Sequence, residues 1–113
     1  MNQFVEELER RDFPRVRRRF PCSLLIGGHC FSATVRDLSA SGFFVETGVK
    51  LRRGIGVIVT VSAPDGARFL LETHVPRNPA LVRRHPNVSQ SGVGLQVENP
   101  PECYLRWVEK FAS

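Results

Sequence analysis

CSLLIGGHCFSATVRDLSASGFFVET, residues 22–47, is the stretch whose reading decides the fold. Its apolar positions recur with a period of two, the spacing of side chains on one face of a strand. CSLLI (22–26) reads as a strand, Gly27–Gly28 as a two-residue hairpin turn, and HCFSATVRDLS (29–39) as the returning strand. SASG (39–42) then turns the chain into FFVET (43–47). Three consecutive strands joined by short turns make an antiparallel sheet.

The same period continues downstream. GIGVIVTVSA (54–63) sets Ile55, Val57, Val59 and Val61 on one face, PDG (64–66) is a turn by residue type, and ARFLLETHV (67–75) returns. Residues 76–91, rich in Pro, Asn and Ser, read as a loop. GVGLQVEN (92–99) is a last strand with Val93, Leu95 and Val97 inward. In NPPECYLRWVEKFA (99–112) the period lengthens to that of a helix. Asn99 is its expected cap, the prolines suit its first turn, and Tyr104, Trp107, Val108 and Phe111 share a face. At the other terminus, QFVEELER (3–10) is a short helical pattern with Asn2 as cap, ending before Pro14. The expectation is all-β: a small six-stranded antiparallel β-barrel, with a basic N-terminal segment and a C-terminal α-helix whose apolar stripe packs over a sheet or a barrel opening.

One domain suits 113 residues. It divides into an N-terminal helix and basic segment (1–19), a barrel (20–98) and a helix (99–113). With 42% apolar residues the chain can bury a core without disulfides. No apolar run approaches the roughly 20 residues of a membrane span, and the N-terminus has no signal-peptide core, so a cytoplasmic protein without membrane insertion is expected. Cys22, Cys30 and Cys103 are odd in number and outside any CxxC pair, so free thiols and no metal are expected. On a strand, His29 and Cys30 would point to opposite faces and could not share a zinc ion. His29, His74 and His85 have no acid or nucleophile at a telling spacing.

The net charge of +5 calls for an anionic partner. Only Lys50 and Lys110 are lysine; the other basic residues are arginine, the side chain whose planar fork meets phosphate or guanine O6/N7 with two parallel hydrogen bonds. Phe31, Phe43, Phe44 and Phe69 lie in apolar segments and are expected mostly in the core, which argues against a DNA- or RNA-binding barrel with exposed aromatics. No base, metal cluster or phosphate-cradling loop stands near Asp37 and Ser39, so an enzyme is not expected, nor a cofactor.

Two motifs carry chemistry. RRDFPR (10–15) concentrates Arg10, Arg11 and Arg15 around Pro14, and DLSASG (37–42) sets Asp37, Ser39 and Gly42 on a turn. An ionised Asp37 can accept from the guanine N1–H and N2–H₂ edge, Ser39 can bond a base or phosphate oxygen, and Gly42 permits a positive φ close to a ligand. Arg36 precedes Asp37 and is expected to point to the opposite face, away from Asp37.

The two motifs resemble the RxxxR (Arg11, Arg15) and [D/N]xSxxG (Asp37, Ser39, Gly42) signatures of the PilZ domain family. Their order, their spacing and the later GVGLQV strand are similar too, over roughly residues 10–111. The resemblance implies a receptor for the bacterial second messenger cyclic di-GMP. Its ligand-binding residues would be Arg10, Arg11, Arg15, Asp37, Ser39 and Gly42, with Arg17 and Arg77 as accessory contacts. It would relay the signal to a downstream effector protein by ordering its N-terminal segment. The alternative is a PilZ-like adaptor that binds protein and no nucleotide.

Overall fold

The computed structural model of the chain describes residues 16–77 and 92–111. Among them are six strands and one helix: β1 (Phe20–Ile26), β2 (His29–Arg36), β3 (Gly42–Glu46), β4 (Gly56–Ser62), β5 (Arg68–His74), β6 (Gly92–Glu98) and α1 (Glu102–Phe111). The strands close into an antiparallel barrel in the order β1-β2-β3-β6-β5-β4. Register pairs fix it: Leu24 faces Phe31 across the first hairpin, Phe43 faces Leu95 where β3 meets β6, and Cys22 faces Val61 where β4 closes onto β1. Gly27 and Gly28 both take positive φ (56° and 84°), the backbone of a tight hairpin turn whose twist suits the flanking strands.

Alternation sorts the side chains. Leu24, Val35, Val45, Val57, Val59, Val61 and Leu71 are fully or almost fully buried inside the barrel. Thr73, the polar intruder, donates its hydroxyl to the Val57 carbonyl at 2.7 Å. The barrel end is covered by α1, whose Tyr104, Trp107 and Val108 are buried. Trp107 stands edge-on to Phe20 (5.4 Å between ring centroids) and tilted against Phe69 (5.4 Å) and Phe111 (5.2 Å). Its indole N–H donates to Asp65 Oδ2 at 3.2 Å, tying the helix to the β4–β5 turn. Each large apolar side chain so covered is worth about 1.5–3 kcal/mol of transfer free energy, so the stripe holds the helix without help from its own short length.

Several details differ from the sequence reading. β2 stops at Arg36 rather than Ser39, because Asp37 adopts φ 54° and leaves the extended conformation. Asn99 is not the helix cap. It sits at φ 46°, outside the helix, whose first bond runs from Leu105 N–H to the Pro101 carbonyl at 3.1 Å. A cap residue needs extended backbone, which Asn99 lacks. Phe43 and Phe69 are core, but Phe31 is 37% exposed and Phe44 lies half-buried on the outer wall. The helix expected at 3–10 and residues 78–91 of the loop lie outside the described residues, as does His85. All three cysteines are free, with Cys22 buried and Cys30 and Cys103 exposed.

Candidate functional site

The turn between β2 and β3 is built from its backbone outward. Asp37 takes a left-handed conformation, which Asp tolerates better than most residues. Leu38, fully buried, then pairs both of its main-chain groups with Val16: Val16 N–H to Leu38 O at 2.7 Å and Leu38 N–H to Val16 O at 2.9 Å. This isolated bridge joins the residue after Asp37 to the residue after Arg15.

Ser39 is buried, and its hydroxyl works inside the turn. Both its N–H (2.9 Å) and its Oγ (3.0 Å) donate to the Gly42 carbonyl, and Oγ lies 3.3 Å from Ser41 Oγ. The Ser39 carbonyl accepts the Tyr104 hydroxyl at 2.6 Å. Ser41 O accepts from Val97 N–H at 2.9 Å, so β6 holds the far side. Gly42 does not use a positive φ, contrary to the sequence reading. Its need is space: it lies in register with Gln96, and a Cβ there would run into the Leu95 carbonyl.

Beside the turn, the outer wall of β2 and β3 carries a charged cluster. Glu46 Oε2 lies 3.1 Å from Arg36 and 3.3 Å from Arg19, so two guanidiniums share one carboxylate. Arg36 is mostly buried, and its guanidinium lies 4.7 Å from the centroid of the Phe44 ring, its cross-strand partner. The expected opposition of Arg36 and Asp37 rested on a strand running through both, and β2 ends at Arg36.

The site residues read from sequence thus divide. Asp37, Ser39 and Gly42 share one hydrogen-bonded turn, and Val16 bridges to it at Leu38. Arg10, Arg11 and Arg15 lie outside the described residues. Arg17 is exposed, one residue after the bridge. Arg77 follows β5 and packs across Gly54, where a Cβ would meet its Nε at 2.8 Å. His74 has an acid after all: its Nδ1 lies 3.3 Å from Glu98 Oε2 on the neighbouring strand. Sequence reasoning missed the partner of Tyr104 and the Arg19–Glu46–Arg36 cluster. The second was within reach, since the register sets Thr34 opposite Glu46 and Arg36 one pair away, as oppositely charged outward residues on adjacent strands.

Burial raises two ionisations. The Cys22 thiol is pushed up to about 11, and the Tyr104 hydroxyl well above the ordinary tyrosine range, so the latter remains a hydrogen-bond donor to Ser39. Among the described residues, no group of three or more His, Cys, Asp or Glu could hold a metal ion, and no helix is long and apolar enough to cross a membrane.

A family model described as the PilZ domain matches residues 9–111. No curated protein matches the chain. Among solved structures, the Bacillus subtilis inhibitor of motility (MotI/DgrA) superposes with a TM-score of 0.71 at 13% identity, over 89% of this chain and 48% of that one. The chain therefore spans about half the length of that structure, and the likeness is one of fold.

Proposed function

The chain belongs to the PilZ domain family, a family of cyclic di-GMP receptors, and from that premise we propose that it binds cyclic di-GMP and passes the signal to a separate effector protein. The observation that carries this reading is the Val16–Leu38 bridge. It pairs Val16, the residue that follows Arg15, with Leu38, the residue that follows Asp37, which supports a site that the two motifs share.

The chemistry supports the same ligand. Asp37, when ionised, is an acceptor facing a guanine edge that carries two donors. Guanidiniums of Arg10, Arg11 and Arg15 suit the phosphates and the guanine O6/N7 edge, by parallel hydrogen bonds or by stacking. Ser39 and Gly42 contribute shape: one locks the turn from within, and the other lets it lie tight on β6. Arg17 and Arg77 are accessory contacts in this reading. PilZ domains are binding and regulatory modules, so no chemical step is assigned. The relay follows from ligand drawing the residues before Val16 onto the barrel. Fixing each residue costs about 1–2 kcal/mol of backbone entropy, which the arginine contacts must exceed.

Isothermal titration with cyclic di-GMP tests the reading. Saturable binding is expected for the wild type, with losses of at least tenfold in Arg11→Ala, Arg15→Ala and Asp37→Ala. No heat from a folded wild type would overturn it and leave the adaptor reading. Limited proteolysis tests the relay: cutting before Val16 at equal rates with and without ligand would remove that part.

A further inference from the structure

The Asp37–Gly42 turn is pinned from three directions. Val16 holds Leu38, β6 holds Ser41 through Val97, and Tyr104 holds the Ser39 carbonyl. The first two pins are main-chain bonds. The third is a side chain from α1, an element outside the barrel wall, reaching 65 residues back along the sequence. The Tyr104 side chain is completely buried and its ring stands edge-on to Phe69 at 5.5 Å, so the hydroxyl has a fixed seat.

A buried tyrosine hydroxyl usually finds some partner. Here the partner is the middle of the motif turn, at a carbonyl whose own N–H and hydroxyl already close the turn onto Gly42. The other side-chain anchor of the buried helix face, Trp107 to Asp65, goes to the β4–β5 turn, which carries no motif residue. Among the described residues the helix is therefore fastened once to the motif turn and once elsewhere.

We propose that Tyr104 is the positioning residue of the Asp37–Gly42 turn and that its bond to Ser39 couples the turn to α1, so that a nucleotide held at the turn tightens the helix on the barrel end. The coupling half rests on the receptor reading above; the positioning half does not. Coupling is reciprocal: whatever the helix contributes to the bound turn, the bound ligand returns to the helix.

The experiment compares the full-length wild type, Tyr104→Phe and Asp65→Ala. Tyr104→Phe keeps the ring on Phe69 and removes only the donor; Asp65→Ala releases the other anchor. Without ligand, amide exchange of Ser39 and Val97 should accelerate at least fivefold in Tyr104→Phe and stay near wild type in Asp65→Ala. With cyclic di-GMP, Tyr104→Phe should bind roughly five- to thirtyfold more weakly, in the usual range of site-to-site coupling, while Asp65→Ala keeps its affinity. Ligand should also slow exchange of amides 105–111 in the wild type, a measurement that needs no variant.

Equal effects of the two substitutions on the turn amides, or none, would overturn the positioning role. Unchanged helix exchange in a wild type saturated with cyclic di-GMP would overturn the coupling. A wild type that binds no cyclic di-GMP would remove the receptor reading and the coupling with it, while the ligand-free amides still decide what Tyr104 does.

Discussion

Arg36 and Phe44 face each other across β2 and β3, with the guanidinium 4.7 Å from the ring centroid. The same ring lies close over Gly92 of β6, where a Cβ would collide with it. A cation over an aromatic face at a partly exposed site is worth about 0.5–1 kcal/mol. A double-mutant cycle on Arg36→Ala and Phe44→Leu, read by urea unfolding, should return a coupling of about that size. A coupling near zero would mean that the two residues are merely neighbours.

Gly42 makes a second prediction. Its extra Cβ in Gly42→Ala would strike the Leu95 carbonyl, a backbone atom in a paired strand that cannot step aside. The expected cost is about 1–3 kcal/mol, as for overpacking elsewhere, together with weaker cyclic di-GMP binding because Ser39 closes onto the displaced carbonyl of Gly42. Gly48 has nothing within 4 Å of the same atom, so Gly48→Ala should stay within about 0.5 kcal/mol of wild type. Equal unfolding midpoints for both variants would refute the steric account.

These two cases show what the sequence makes legible. Period-two alternation is a local property, and it located the six strands of the described residues and the inner faces of β4 and β6. It also carried the motif turn, because Asp, Ser and Gly at 37, 39 and 42 are turn formers whatever surrounds them. Non-local facts were out of reach. Nothing near Tyr104 in sequence names Ser39 as its partner, and the contact of His74 with Glu98 exists only because β5 and β6 are neighbours. Gly42 was read as a residue of unusual φ when the constraint is a neighbouring strand; the unusual φ belongs to Asp37, next to which alternation fails. Asn99 was misread for the same reason, a good capping residue type in a backbone conformation that cannot cap.

Leu70 and Leu71 test the alternation directly. They are adjacent in β5, yet Leu70 is 61% exposed and Leu71 is fully buried among the barrel valines. Leu70→Thr, which retains strand propensity, should change stability by no more than about 0.5 kcal/mol. Leu71→Ala should cost about 2–5 kcal/mol through lost burial and the cavity left behind. Thermal or urea unfolding decides it, and comparable losses at both positions would place the inner face of β5 elsewhere.

The buried Cys22 thiol gives the chain an alkaline weakness. Its ionisation is raised from 9.0 to about 11 because burial disfavours the thiolate. Above the unfolded value the unfolded chain has released a proton that the folded chain still holds. With fewer protons bound in the unfolded state, stability falls as pH rises, so the protonated thiol's contribution is complete below about pH 9 and is lost between there and about pH 11. Cys22→Ala removes this term. It should be less stable than wild type at neutral pH by the loss of a small buried group, and the gap should narrow from pH 9 upward. Tyr104, also shifted upward by burial, and the exposed thiols Cys30 and Cys103 are present in both proteins, so their contributions cancel in the difference. The measurement is urea unfolding of the two proteins under reducing conditions at intervals from pH 7 to 11. A gap that stays constant across that range would show that the Cys22 thiol ionises alike in the folded and unfolded chain.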